Sequence, residues 1–322
     1  MCTLRSTGAS RFHMTGQDVI NECGPDSLKK PLYILVTGAT SGIGIETARV
    51  LACAGAHVYA MGRDQTKLQE VVQNIDNQLK GQQDSGGSIE GFICDLNSLA
   101  SVKQFSEKFI AENKRLNILM LNGGTSNYKF AQTTEGLEQV MGVNHIAQAY
   151  LTKLLIPKLI ANAPSRIVVV SSSYHKGPPL DYQALDRMST MSNNAKNDWG
   201  MLSSYQQSKL ANLLFARALA SQYNDKQVTA YSVHPGFINT NLGRDVPLVK
   251  FIKMIIPQRK KTLEEGVATT VYCTLKLGLE NQSGQYFDDS AVTNIAEKWS
   301  ENDINTFWKW TQKTIQERTA NL

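Results

Sequence analysis

The sequence predicts an α/β fold: a single domain built on a doubly wound parallel sheet of about seven strands, with helices on both faces. Three observations lead there. Short β-rich runs alternate with longer stretches of helical period, several runs are apolar at nearly every position, and the first run opens into a glycine-rich turn followed by a helical pattern. A run such as Arg166-Ile-Val-Val-Val-Ser171 has the continuous apolarity that burial on both sheet faces requires. Strand–helix alternation then implies right-handed crossovers and parallel pairing.

Taken in order, residues 1–30 are polar and without clear period, an arm or tail, and the domain is expected over 31–322. Candidate strands are Leu32–Val36, His57–Met61, Ser88–Cys94, Asn117–Leu121, Arg166–Ser171, Gln227–Val233 and Gln285–Phe287. Between them lie helical stretches, among them Gly42–Ala54, Leu99–Glu112, Gly136–Ile160, Tyr205–Tyr223 and Leu263–Leu277. Gly55 stands where a helix cap is expected, Thr262 with Glu265 has capping-box spacing, and Pro235-Gly236 ends a strand sharply. Two excursions near 173–204 and 241–261 are long for an economical domain and so are candidates for walls of a site.

Composition narrows the function. With 322 residues, 42% hydrophobic and 19% charged, the chain is long enough for a large core without disulfide staples. The net charge of +5 is spread along the chain, which argues against nucleic acid as a partner. The cysteines, Cys2, Cys23, Cys53, Cys94 and Cys273, are odd in number and far apart, so no disulfide framework or metal site is expected. A reducing, cytoplasmic setting follows. No window is long and apolar enough for a membrane span.

The turn Thr37-Gly38-Ala39-Thr40-Ser41-Gly42-Ile43-Gly44 sits between strand and helix. A chain leaving a strand there must turn tightly, let its backbone approach a phosphate, and pack a helix close to the sheet. Gly38, Gly42 and Gly44 suit those tasks, and the helix start offers free N–H groups to a dinucleotide pyrophosphate. After the second strand comes Gly62-Arg63-Asp64, with an arginine and no acidic residue at the strand end. That favours a 2′-phosphate and hence NADP(H) over NAD(H); the alternative is a surface arginine paired to Asp64. Asp95, in Cys94-Asp95-Leu96, suits an adenine amino group or the cap of the helix beginning near Ser98.

Tyr205 and Lys209 share a helix face at four-residue spacing, which brings an ammonium near a phenol. A phenol of pKa near 10 needs such a cation, or an oxidised nicotinamide, to exchange protons at neutral pH. The spacing alone is unspecific, because Tyr272 and Lys276 repeat it. Only the first pair follows a strand ending in Ser171-Ser172-Ser173, where a serine can hydrogen-bond a substrate carbonyl; the second reads as a core-facing tyrosine and a solvated lysine. Asn144, with its low helix propensity inside a helical stretch, reads either as the holder of a water near Lys209 or as a solvated side chain.

On these residues the chain resembles the short-chain dehydrogenase/reductase family over about 31–290. The turn at Thr37–Gly44, Asp95-Leu96, Asn122-Gly123-Gly124, Asn144, the serine strand, Tyr205/Lys209 and Pro235-Gly236 with Thr240 fall in family order. The segments Lys196–Asn212, Gly266–Cys273 and Ile315–Arg318 are similar to its retinol-dehydrogenase-like branch. The resemblance implies a Rossmann-like fold and these residues on a nicotinamide cofactor. It also implies Ser172 orienting a carbonyl, Tyr205 as acid/base, Lys209 lowering its pKa and holding the nicotinamide ribose, and Asn144 supporting a relay water. It implies a small apolar alcohol or carbonyl substrate, retinoid, steroid or lipid-like, and homo-oligomers as common. Asn122-Gly123-Gly124 departs from the family's usual Asn-Ala-Gly by one methyl. The apolar, lysine-spaced segment Pro247–Pro257 suits a flap over such a substrate or a peripheral membrane contact. The contrasting function is a dinucleotide-binding sensor or scaffold without turnover.

Overall fold

The computed structural model describes residues 11–28, 30–82, 86–190, 195–238, 260–293 and 299–322. Thr240 and the segment 247–257 lie outside them. In chain order the elements are α1 (Gly16–Cys23), β1 (Tyr33–Thr37), α2 (Gly42–Cys53), β2 (His57–Gly62), α3 (Gln65–Lys80), β3 (Ser88–Ile93) and α4 (Leu99–Ala111). There follow β4 (Ile118–Leu121), α5 (Gln139–Met141), a π-helical turn (Gly142–Ile146), α6 (Ala147–Ala161), β5 (Ser165–Val170), α7 (Tyr182–Met188) and α8 (Met201–Tyr223). The chain ends with β6 (Val228–His234), α9 (Leu263–Gly266), α10 (Ala268–Leu275), β7 (Tyr286–Asp288), β8 (Ala291–Val292) and α11 (Glu301–Thr319).

The sheet has eight strands in the order β3-β2-β1-β4-β5-β6-β7-β8. All pair in parallel except the last, where Phe287 faces Val292 in antiparallel register. Successive strand residues alternate between two cores. Leu35, Leu119, Ile167 and Val169 point into a layer with Phe105, Leu151, Phe215 and Phe307 of α4, α6, α8 and α11. Ile34, Val36, Met120, Val168 and Val233 point into the opposite layer with Val19, Leu51, Leu68 and Val271 of α1, α2, α3 and α10. Full burial of both faces is the physical content of the continuous apolar runs.

The sheet has one strand more than the sequence signals, because β8 is two exposed residues with no run to detect. The helices α3 and α11 add to the expected stretches; α3 buries Leu68, Val71, Ile75 and Leu79 at helical spacing. The stretch expected from Gly136 starts only at Gln139, since Gly136 has φ +76° and closes a turn. The expected Leu263–Leu277 helix breaks at Val267 into α9 and α10, and the capping box of Thr262 and Glu265 is present. The 173–204 excursion contains α7 rather than open loop. Regular structure begins before Pro31: α1 packs on α10, with Val19 fully buried. Among the described residues no helix is long and apolar enough to cross a membrane.

Candidate active site

Strand order reverses between β1 and β4, and a crevice must open there, at the carboxyl ends of the strands. A cleft of about 310 Å³ occupies that place, walled by Gly38, Thr40 and Ser41 after β1, Gly62 and Arg63 at the end of β2, Asp95 and Leu96 after β3, and Gly123 and Gly124 after β4. Gly38 has φ +66°, and a Cβ on it would lie 2.7 Å from the Cα of Gly123, so the two turns touch backbone to backbone. A Cβ on Gly44 would overlap the Gly38 carbonyl oxygen, which is why α2 can start so close to β1. Ser41, at the N-cap of α2, makes no capping bond with its side chain, whereas Asp64 and Ser98 do cap α3 and α4. The Gly42 and Ile43 amides at the start of α2 thus lack a side-chain cap and can meet an anion, while the Gly44 N–H donates to the Ser41 carbonyl at 3.1 Å. Gly42 and Ile43 open this helix beside the cleft, with Ile43 leaning on the core.

Two residues expected on the cofactor also brace the cleft. Thr37 is fully buried; its hydroxyl donates to Gln148 Oε1 at 2.8 Å and accepts the Gly123 N–H at 2.8 Å. Asn122 Nδ2 donates to the Thr37 carbonyl at 2.9 Å. Together they lock the end of β4 to the end of β1. The departure at Gly123 makes room: a Cβ there would come within 2.7 Å of Leu96 Cδ1.

Arg63 is exposed on the cleft rim, and among the described residues it forms no ion pair; Asp64 instead accepts the Lys67 N–H at 3.1 Å. Asp95 does not cap α4. Its carboxylate accepts the Asn97 N–H at 3.0 Å, while Ser98 caps the helix and Glu135 accepts the Leu99 N–H at 2.8 Å. The wall also holds residues that motif spacing missed. Asn127 Nδ2 donates to Gln139 Oε1 at 2.6 Å and Gln139 Nε2 to Asn97 Oδ1 at 2.6 Å, an amide ladder joining two loops to the start of α5. For Asn97 and Asn127 the only sequence signal is proximity to strand ends; Gln139, at the start of α5, has none.

At the other end of the cleft, a Cβ on Gly124 would sit 3.7 Å from Lys209 Nζ, so the glycine end and the lysine adjoin. Lys209 is buried, donates to the Val170 carbonyl at 3.1 Å, and stands 5.6 Å from the Tyr205 ring centroid. The Ser172 side chain lies near enough to the Tyr205 phenol to pull its pKa down, and Ser172 Oγ itself accepts the Tyr174 N–H at 3.3 Å. Neighbouring polar groups fasten α8 to β5: Ser171 Oγ donates to the Lys209 carbonyl at 2.6 Å, and Asn212 Nδ2 to that of Val170 at 3.0 Å. The structure therefore brings Ser172, Tyr205 and Lys209 together.

Asn144 joins them from the π-helical turn, and it is fully buried rather than solvated. Its Oδ1 accepts the Thr125 N–H at 2.6 Å, and its Nδ2 donates to the Thr125 carbonyl at 2.9 Å and to Ser208 Oγ at 3.0 Å. The extra residue of a π-turn aims this side chain across to the loop after β4. Pro235 and Gly236 end β6 beside the site, where a Cβ on Gly236 would meet the Lys261 stem at 2.6 Å. Tyr174, also missed, lies 6.0 Å from the Tyr205 ring and 6.3 Å from Phe237.

The electrostatics differ from the expectation of an acidified phenol. Burial pushes Tyr205 up to about 12, against the pull of the Ser172 side chain, and pushes Lys209 down to about 8. Desolvation is the largest cause at both groups: burial makes the phenol harder to ionise and the ammonium easier to deprotonate than in water.

A glycine cradle at the switch point adjoins a serine at the end of β5 and a tyrosine and a lysine on α8, an arrangement that fits a nicotinamide-dependent oxidoreductase. The chain belongs to the short-chain dehydrogenase family, whose model matches residues 32–182 and 188–248. It is similar to the WW domain-containing oxidoreductase of Homo sapiens, 34% identical over 291 residues, which cover 89% of this chain and 69% of that protein. It is also similar to retinol dehydrogenase 12 of Homo sapiens, 37% identical over 272 residues, covering 84% and 81%. Among solved structures, a 7α-hydroxysteroid dehydrogenase complexed with NADH and 7-oxo glycochenodeoxycholic acid superimposes with TM-score 0.64 at 21% identity, covering 82% of this chain and 95% of that one. The L-sorbose reductase of Gluconobacter frateurii, complexed with NADPH and L-sorbose, gives 0.61 at 18% identity, covering 80% and 94%. At those identities the likeness concerns the fold.

Proposed function

We propose that the chain moves a hydride between NADP(H), ahead of NAD(H), and the carbonyl or alcohol group of an apolar substrate. The observation that carries this reading is the convergence of Ser172, Tyr205 and Lys209 next to the Gly124 end of the cleft. The residues present fit a dinucleotide: the cradle at Gly38 and Gly44 is space that a Cβ would fill, and the Gly42 and Ile43 amides lack a side-chain cap. Gly38, Thr40, Ser41, Arg63, Asp95 and Leu96 would hold its adenosine and phosphates, and Lys209 its nicotinamide ribose. When bound, the nicotinamide supplies the hydride and the redox change.

The polypeptide supplies orientation and the proton. Ser172 Oγ holds the substrate oxygen by a hydrogen bond. Tyr205 Oη gives that oxygen its proton in reduction and takes it back in oxidation, so the phenolate formed must be stabilised. Lys209, charged below about pH 8, is the cation nearest to do so. Asn144 fixes Thr125 and Ser208 around the pair, a positioning role supported by its three hydrogen bonds.

An apolar substrate is supported by the Tyr174 and Phe237 rings beside Tyr205 and by Leu202, one turn earlier on α8 and 51% exposed. One of the relatives is named for retinol. The deciding measurement is cofactor consumption with retinoids, steroids and small polar carbonyls in both directions. Turnover is expected to be fastest with the first two classes. Tight dinucleotide binding with no turnover on any of them returns the sensor reading.

A further inference from the structure

The residue that holds the substrate oxygen must itself be held, and the backbone around Ser172 shows how. Ser172 leaves β5 extended, and the chain then turns tightly through Ser173–Lys176. Two imidazoles grip this turn. His175 Nδ1 lies 2.7 Å from the Ser172 carbonyl oxygen, which can only accept, so Nδ1 carries the hydrogen. His234, the last residue of β6, accepts the Ser173 N–H on Nδ1 at 3.3 Å, so that nitrogen is bare and Nε2 carries the hydrogen. The two rings therefore hold opposite tautomers, each matched to one backbone group. Both are buried, at 1% and 4% exposure, His175 against Tyr286 at 4.6 Å and His234 against Phe237 at 5.4 Å. Burial pushes His234 down to about 3, which keeps its Nδ1 lone pair free.

We propose that His175 and His234 are positioning residues for the reaction, fixing the turn that aims the Ser172 hydroxyl at the substrate oxygen. Neither touches the reacting atoms; they act through the backbone of Ser172 and Ser173. The inference rests on the function proposed above. Its consequence is steep, because displacing an orienting group by about 1 Å costs on the order of 100-fold in rate.

Asparagine and leucine separate this role from packing. The asparagine amide places a donor or an acceptor where Nδ1 sits; leucine fills the space with neither. His175→Leu and His234→Leu are expected to lose about 10- to 100-fold in kcat while NADPH affinity stays within about twofold, and His175→Asn and His234→Asn to recover most of the rate. Amide hydrogen exchange over 172–176 should quicken in the leucine variants and return toward the parent in the asparagine ones. The proposal is overturned if asparagine is as damaging as leucine, if the loss falls on nucleotide affinity, or if exchange over the turn does not change. Should the leucine variants not fold, glutamine replaces them, since its amide reaches the Nε2 position instead; asparagine and glutamine behaving alike then rejects the proposal. A parent that binds dinucleotide but turns over no carbonyl or alcohol fails the function reading alone, and the exchange comparison still decides whether the histidines hold the turn.

Discussion

Tyr205/Lys209 and Tyr272/Lys276 have the same spacing and opposite surroundings. The first pair faces the serine at the end of β5, with its lysine buried and bound to the Val170 carbonyl. The second lies under the N-terminal arm: Arg11 stands 5.7 Å over the Tyr272 ring, and Lys276 reaches Glu22 at 3.7 Å. Burial pushes both phenols up, so acidity in the bare polypeptide does not distinguish them. The difference is in the company each keeps. One tyrosine has a hydroxyl and a desolvated ammonium to share a proton with; the other is packing for α1, and its lysine ends a helix rather than extending one.

The sharpest way to break this contrast is to remove the two phenol oxygens in turn. Tyr205→Phe should lower kcat by about 1,000-fold with the fold and the nucleotide affinity retained, because it removes the proton donor and little volume. Tyr272→Phe should leave kcat within about twofold. Equal losses would mean that position near the cleft carries no information about chemistry.

The two arginines extend the comparison with a smaller expected effect. Arg63 stands on the cleft rim without an ion pair among the described residues, whereas Arg11 is tied to Glu22 at 3.1 Å and to the Ser290 carbonyl at 3.2 Å. Arg63→Asp should move the ratio of kcat/KM for NADPH over NADH by about 10-fold or more toward NADH, the size of one lost charge-assisted contact. Arg11→Asp should leave that ratio alone and lower thermal stability. A parent with equal affinity for both cofactors would remove the case for Arg63.

These contrasts also mark what the chain discloses before folding. The strands were legible because burial on two faces leaves an apolar run that needs no partner to be recognised. The reacting side chains were legible as a short motif next to a strand end. What held them was not. The Thr37 hydroxyl finds Gln148, 111 residues away, and the Asn122 amide finds the Thr37 carbonyl across 85 residues, separations that no local pattern encodes. Both are expected on the cofactor from their positions in the motif, and the fold also uses them to join β1 to β4. Asn144 left two readings open until the π-turn buried it, and the Asn127–Gln139–Asn97 ladder exists only once two loops meet the start of α5.

The lysines give the smallest effect on stability and the most specific contrast, because for Lys209 activity and stability should move in opposite directions. Lys209 sits at about 8 in the fold against 10.5 for an ordinary lysine, so the folded state disfavours its charge. Between about pH 8 and 10.5 the unfolded chain binds a proton that the folded one does not, and stability contributed by this group rises with pH through that window; below it the full penalty applies. Lys209→Met removes the penalty, and the Val170 carbonyl keeps its bond from Asn212. The variant should therefore lose most activity yet melt about 2 °C or more above the parent at pH 7, with the gap closing toward pH 10. Lys276→Met should do neither, costing well under about 1 kcal/mol through a partly exposed pair with Glu22. Melting curves of the three proteins across that pH range test the difference directly. A Lys209→Met protein that melts below its parent at neutral pH would show that the ammonium is paired more favourably than its burial implies.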